Sequence, residues 1–451
     1  MMPHLIPISA LLAGIALLLL GTGLLNTLLA LRGSLAGFSE QTLGIIASAY
    51  FFGFFAGTFF APPLIRRMGH VRAFAFFAAA MATCMLLHSL WVDSAFWMLL
   101  RLVTGVALVG FYTVIESWLN SEAPRERRSQ IFAVYMTVNL LALAAAQLFL
   151  RLDSPAAFTL FSVSAVFAVV ALMPVVGTRL APPTLAAAPR PALRRIWRAA
   201  PVAFVGALAS GLGMGAFWGM GPVFASRAGL DAEGVGVFVT VTILAGALLQ
   251  WPIGRVSDGM DRRRALALVA AASTAGALLM AVVGAAGAML LVAAALFGAS
   301  AFSLYPVVMA HLIDHLHQDE ILAGNAGVLL LHGAGAALGP ALGGLVMGWF
   351  GTAALPLFIA AMFGPTAAYA LLSARRAPDE IVDEAAHCVP MLRTTPTVLE
   401  MMTPEPPPEP APAAPAASDI PITGRHPRAS AAEAPESPAV PEPTRAAVRA
   451  Q

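Results

Sequence analysis

The chain has 451 residues, 59% of them hydrophobic and 11% charged, with a mean hydropathy of +0.80 and a formal net charge of +2. Soluble domains average about 45–50% apolar and about 25% charged residues, so this composition excludes an ordinary soluble globule and points to lipid as solvent. All 26 basic residues are arginine. Without lysine there is no Walker A phosphate loop and no Schiff-base lysine, which argues against ATP-driven transport by this chain alone and against retinal-type photochemistry.

A helix needs about 20 apolar residues to cross the hydrocarbon core. Twelve segments qualify: 8–31, 43–62, 73–91, 96–119, 130–150, 156–177, 201–224, 235–253, 265–284, 288–310, 322–349 and 353–373. The first belongs to the apolar run Leu5–Leu31, which is longer than a signal-peptide core and lacks a cleavage site. The residues therefore predict an all-α membrane protein. Residues 1–178 form an N-terminal six-helix bundle, 179–200 an inter-bundle loop rich in Pro, Ala and Arg, and 201–373 a second six-helix bundle. Residues 374–451 hold 16 of the 34 prolines and form a disordered tail that cannot bury a core.

Arginine placement sets the expected orientation. Seventeen arginines fall in loops on one side, against Arg32, Arg151 and Arg227 on the other. That places both termini in the cytoplasm, with the chain crossing the membrane repeatedly. Cys84 lies in an apolar run and Cys388 in the tail, so no disulfide is expected.

Two stretches with equivalent places in the two halves share a pattern. Pro62 to Arg72 includes Arg66, Arg67 and Gly69; Gly254 to Arg264 includes Asp258, Arg262, Arg263 and Arg264. Basic hairpins recurring between long apolar segments indicate internal duplication. The copies are not equivalent, because Arg66 stands where the second has Asp258.

Twelve spans in two sixes, with a Gly-x-x-x-Asp-x-x-x-Arg-Arg loop after the second span of the second half, resemble the major facilitator superfamily. Arg101-Leu102-Val103-Thr104-Gly105 is similar to that family's intramembrane Arg-x-x-x-Gly. Ser48-Ala49-Tyr50-Phe51, Glu116-Ser117-Trp118-Leu119-Asn120, Gln250 to Arg255 and Leu304-Tyr305-Pro306-Val307 resemble the YcaD-type branch of bacterial permeases. The resemblance implies two pseudo-symmetric bundles that rock about a central site, a secondary transporter working by alternating access. It covers about residues 8–373 and leaves out the tail.

A charge inside a span costs about 2.5–3.5 kcal/mol on insertion scales, so such residues are functional candidates. The fourth span holds Arg101 and Glu116, and at 100° per residue Arg101, Gly105, Tyr112 and Glu116 fall within about 60° of one another. On a functional reading Arg101 contacts an anion or the coupling ion, and Glu116 is a carboxylate whose protonation follows transport. On a structural reading Arg101 braces helices and Glu116 orders the following loop. Further candidates inside spans are Asn26, Asn139, Gln147, Asn325 and His332, with Tyr50, Trp218 and Tyr305 as cavity-wall aromatics. Tyr112 and Tyr305 stand in equivalent places in the two halves, which makes them candidate symmetry mates. Each of these residues alone is more often a packing or interhelical hydrogen-bonding group. Trp91, Trp97 and Trp349 read as interfacial anchors. His311, His315 and His317 with Asp314 read as a solvated helix end, not a metal cluster, and no metal site is expected.

Gly335, Gly339, Pro340, Gly343 and Gly344 form a small-residue stripe suited to close helix packing, and the glycine-rich seventh span is similar. By resemblance, the loop carrying Arg66 and Arg67 faces the start of the eleventh span, and the loop carrying Asp258 and Arg262 faces the start of the fifth. Arg125, Arg127 and Arg128 before the fifth span would attract Asp258, whereas Asp314, Asp319 and Glu320 before the eleventh would attract Arg66 or Arg67. Such swapped latches would form a cytoplasmic gate that favours the outward-facing state.

The expected function is proton- or gradient-coupled movement of a small solute by a monomer in contact with membrane lipid, with export preferred. No enzyme chemistry, cofactor or nucleic-acid partner is indicated. The alternatives are a non-transporting membrane sensor or scaffold that uses the tail to bind a partner, and a lipid or lipophile translocator.

Overall fold

The computed structural model describes residues 5–124, 127–178, 183, 191–284, 287–317 and 320–376. Twelve helical spans among them are long and apolar enough to cross a membrane. In the first half these are α1 (Leu5–Leu35), α2 (Glu40–Met68), α3 (His70–Leu90), α4 (Ser94–Glu122), α5 (Arg128–Ala146) and α6 (Thr159–Val170). A 3-10 turn, Gln147–Arg151, extends α5, and the short α7 (Leu172–Val176) extends α6. The break before α7 falls just ahead of Pro174, whose nitrogen has no hydrogen to donate to the preceding turn.

After α8 (Leu193–Ala199), the second half comprises α9 (Pro201–Arg227), α10 (Ala232–Asp258), α11 (Arg262–Val283), α12 (Ala288–Ile313), α13 (Ile321–Phe350) and α14 (Ala354–Arg376). The helices pack as two six-helix bundles. Large apolar side chains such as Phe59, Phe60, Leu248 and Val282 point outward, as a lipid-facing surface requires.

The two bundles repeat one packing device. In the first, a Cβ on Gly105 of α4 would strike the backbone of α2 at Tyr50 and Gly53, and one on Gly53 would strike Leu102 of α4. In the second, a Cβ on Gly298 of α12 would strike the Thr242 carbonyl of α10, and one on Gly246 would strike Phe302. Glycine at positions 53, 105 and 298 lets two backbones touch, and at 246 it admits the Phe302 ring, so the second and fourth helices of each half pack closely.

Helices run further than hydropathy suggests. α2 continues to Met68 through Pro62 and Pro63, and α10 to Asp258, so Arg66, Arg67, Gly254 and Asp258 sit on helix ends instead of in loops. The α2–α3 turn is Gly69 alone, at φ 80°, and Gly259–Asp261 makes the α10–α11 turn. Asp261 caps α11 by accepting from the Arg263 amide at 2.8 Å and pairs with the Arg263 guanidinium at 3.0 Å. Burial pushes the Asp261 carboxyl up, but the Arg263 hydrogen bonds and charge outweigh it and hold it below the usual carboxylate range.

Two further expectations need correction. Trp97 is no interfacial anchor: it is fully buried, and its indole N–H donates to the carbonyls of His88 and Trp91 at 3.1 and 2.9 Å. Trp91 and Trp349 are exposed. His311 lies at a helix end as expected but is not solvated: it is buried in the last turn of α12 against the His315 ring.

Replacing Gly105 by leucine should lower the melting temperature of the detergent-purified protein, because overpacking costs about 1–3 kcal/mol. Gly259→Ala, where a Cβ has room, should leave it within about 0.5 kcal/mol of the parent. Equal melting temperatures for the two variants would contradict the α2–α4 contact.

Candidate functional site

A cavity of about 170 Å³ lies between the bundles, with walls from α1, α2, α4 and α5 on one side and α9 and α13 on the other. Of the sequence-derived candidates, Arg101, Tyr112, Asn26, Tyr50, Asn139, Trp218 and His332 line it. Phe51, Phe54 and Phe55, one run on α2, supply most of the remaining aromatic wall.

Arg101 is the central group. It sits seven residues into α4, about 10 Å from the helix start at 1.5 Å per residue, and only 5% of it is exposed. Its Nη1 donates to Asn26 Oδ1 of α1 at 2.8 Å. Its guanidinium carbon lies 4.0 Å from the centre of the Tyr50 ring of α2, a cation–π contact. Three helices therefore meet at one cation. Among the described residues no carboxylate pairs with it, and no Asp or Glu lines the cavity.

Glu116 departs from the stripe drawn from the sequence. It is fully buried and lies outside the cavity lining, where it accepts from the Tyr135 hydroxyl of α5 at 2.9 Å. Asn139, one turn further along α5, lines the cavity. Tyr135, which holds the sealed carboxylate, therefore stands one helical turn from Asn139 on the cavity wall. Tyr135 was not among the sequence candidates, although its i, i+4 spacing to Asn139 is the signal that could have found it.

The remaining candidates divide. On α13, His332 Nδ1 lies 2.9 Å from Ser210 Oγ of α9, and the Tyr305 ring meets the imidazole edge-on at 4.7 Å between centres. Tyr305 is buried behind that imidazole and does not line the cavity, unlike Tyr112. Gln147 accepts from Thr27 Oγ1 at 2.7 Å and donates to the Gly23 carbonyl at 3.3 Å, tying α5 to α1 beside the main cavity. Asn325 is buried near the start of α13, outside the lining. Gly335 and Gly339 lie against the α9 backbone at Gly211 and Gly215, and Gly343 packs on Leu355 and Ala216. Pro340 and Gly344 meet Gly44 of α2 across the two bundles.

Polar contacts between the bundles gather at the end opposite the arginine-rich helix termini. Arg227 Nε lies 3.0 Å from Glu40 Oε1, and Arg151 Nη2 lies 2.7 Å from Glu233 Oε1. The Ala341 amide donates to Ser48 Oγ at 2.9 Å, and Thr240 Oγ1 donates to the Ala144 carbonyl at 3.2 Å. These ion pairs were not foreseen, although Arg151 and Arg227 were two of the three arginines outside the basic side.

At the arginine-rich end the gate candidates pair differently from the swapped latch. Asp258 bonds to Arg262 at 2.7 Å, Arg262 reaches Asp314 at 3.1 Å, and Glu320 bonds to Arg195 of α8 at 2.9 Å. Asp314 and Glu320 are thus engaged by Arg262 and Arg195 in this conformation. Arg66, Arg67 and Arg127 are exposed, and Arg128 is half-buried with no hydrogen-bond partner at its Nε. Arg125 and Asp319 lie outside the described residues.

Twelve spans in two packed sixes around a central, mostly apolar cavity that holds one buried arginine define a multi-pass membrane transporter fold. A sequence model of the Major Facilitator Superfamily matches residues 11–238 and 203–420. The chain belongs to that superfamily. It is 27% identical over 358 residues to the uncharacterized MFS-type transporter YcaD of Escherichia fergusonii, covering 79% of this chain and 93% of the relative. An MFS-type transporter of Yersinia enterocolitica is 28% identical over 382 residues, covering 83% and 96%. Among solved structures, the nucleoside transporter NupG superposes with a TM-score of 0.69 at 12% identity, covering 84% of this chain and 100% of NupG. The human organic anion transporter MFSD10 superposes with a TM-score of 0.56 at 14% identity, covering 82% and 100%. Such low identity shows the fold alone. The bacterial relatives and twelve spans make this a multi-pass protein of the inner membrane.

Asn26→Leu removes the acceptor that holds Arg101. The variant should lose about 1.5–3 kcal/mol of stability, the usual cost of losing a hydrogen bond to a charged group. Unfolding of the purified variant beside the parent reads this directly, and an unchanged midpoint would mean that Asn26 does not anchor Arg101.

Proposed function

We propose that this chain is a proton-coupled secondary transporter that carries a small solute across the inner membrane by alternating access. The observation that carries the reading is a buried, uncompensated guanidinium in a cavity shared by two pseudo-symmetric bundles. A chain that no longer transported would have little reason to keep Arg101 inside the membrane, given what a charge costs there.

With the arginine-rich end in the cytoplasm, as the positive-inside rule indicates, the Glu40–Arg227 and Arg151–Glu233 pairs lie on the outer side. The contacts gathered there support reading this conformation as closed outward and directed inward. Each pair is 25–56% exposed and contributes about 0–1 kcal/mol, enough to bias a near-balanced equilibrium without locking it. The Arg66 and Arg67 helix end and the Asp258–Arg262 turn would re-pair across the bundles when the protein turns outward.

Glu116 is the coupling carboxylate on this reading. Protonating it changes what Tyr135 can donate, and Tyr135 stands one turn from Asn139 on the cavity wall, so proton and solute sense each other along this stretch of α5. A small solute and protons are the partners; residues 377–451 lie outside the described residues, and no role is assigned to the tail.

Reconstituted liposomes loaded with a pH-sensitive dye test the reading. A panel of small solutes should include one that drives a change of internal pH, abolished by a protonophore. Glu116→Gln should keep solute exchange while removing its pH dependence. Solute movement with no proton response, or a Glu116→Gln variant with the parent's pH profile, would remove the coupling role.

A further inference from the structure

Arg101 and the walls around it define the solute's chemistry as well as its place. The guanidinium spends one N–H on Asn26 and one face on Tyr50. Its Nε and Nη2 have no acceptor among the described residues, neither is among the buried polar atoms without a partner, and Arg101 lines the cavity. A guanidinium edge with two free donors matches a carboxylate in a bidentate pair. Among the described residues no acid lines the cavity to neutralise that charge or to attract a cation.

The rest of the wall is aromatic. Phe51, Phe54, Phe55 and Tyr112 come from the first bundle, and Trp218 faces them from the second. Rings attract rings in offset or edge-on geometry, worth about 0.5–1.5 kcal/mol per pair beyond the apolar burial. An apolar cavity of about 150 Å³ accommodates one benzene ring. At about 170 Å³, this cavity has room for one ring and a short acid arm.

We propose that the cavity is a binding site for a monoanionic aryl or arylalkyl carboxylate of one ring, its carboxylate on Arg101 and its ring between the α2 phenylalanines and Trp218. The inference rests on the reading of the cavity as the solute site, but not on transport or proton coupling. The site discriminates by charge before shape. A neutral isostere would leave the guanidinium buried without its partner, and a cation would add repulsion to that loss. A short aliphatic acid keeps the ion pair and forgoes the wall.

Calorimetric titration of the full chain in lipid nanodiscs decides it, with benzoate, phenylacetate and phenylpropionate as probes. Phenylacetamide, phenethylamine and acetate serve as controls. At least one aryl acid should bind tenfold or more tighter than each control. Arg101→Gln should weaken that acid at least tenfold. Arg101→Lys, which keeps the charge but loses the fork, should fall between the two. Trp218→Ala should weaken the aryl acid while leaving acetate unchanged, which keeps the test decisive if Arg101→Gln does not fold. Equal binding of amide or amine, equal binding of acetate, no effect of Trp218→Ala, or no binding of any aryl acid at millimolar concentration would overturn the proposal. Binding without flux in liposomes would leave this site standing and sink the transport reading; flux of another solute class without aryl-acid binding would do the reverse.

Discussion

The buried guanidinium of Arg101 is the constraint on which the rest of the site depends. Burying a charge in an apolar bundle is tolerated only where polar groups receive it, and here Asn26 of α1 and Tyr50 of α2 do so. Both partners must stay in register with α4. The touching backbones at Gly53 and Gly105 hold α2 and α4 together, and the Thr27–Gln147 bond ties α1 to α5. Packing of small residues thus serves electrostatics: the glycines set the distances at which one cation can be shared by three helices.

The scaffold is symmetric and its chemistry is not. Gly53 and Gly105 have counterparts in Gly246 and Gly298, and the same helix pair is clamped in each half. At the place equivalent to Arg101, however, the second half has Ala294, which is fully buried. Asn139 is matched by His332, and Tyr112 by a Tyr305 that has withdrawn behind that imidazole. The repeat supplies two bundles built on one packing device; substitutions between the copies leave a buried arginine on one wall of the cavity and Trp218 on the other. A second arginine at the place of Ala294 would set two like charges facing the same cavity, which a low-dielectric interior penalises.

Much of the fold was legible because membrane solvation is a strong constraint. Twelve apolar runs and the biased arginines carry the architecture, and the Arg101 to Gly105 stretch carries the family. The candidate site was legible where a residue broke the apolar rule, as Arg101, Asn26 and His332 do, and at the aromatics Tyr50, Tyr112 and Trp218. Its connections were not, because they join residues far apart in the chain: Asn26 lies 75 positions from Arg101, and Thr27 lies 120 from Gln147. Helical phase placed Glu116 near the Arg101 stripe, but a 60° offset over several turns is enough to turn it from the cavity to Tyr135. Trp97 misled because tryptophan near a span end usually faces the interface, whereas here two backbone carbonyls at the α3 terminus receive its N–H. Helix ends were underestimated wherever charged residues continue an apolar helix, as at Arg66 and Asp258, because hydropathy marks the lipid boundary and not the last hydrogen-bonded turn.

On the proposed function, the two bundles alternate about the cavity and cross-bundle pairs at one end bias the equilibrium. Distances between spin labels test it most directly, at Ser154 and Thr352 for the end carrying Glu40 and Arg227 and at Arg72 and Arg264 for the arginine-rich end. The labels are placed in a background with Cys84 and Cys388 replaced by serine. In the Glu40→Gln/Glu233→Gln double variant the account predicts a population with a longer Ser154–Thr352 distance and a shorter Arg72–Arg264 distance. Distributions that stay single and unchanged at both ends, or that lengthen at both ends together, would contradict it.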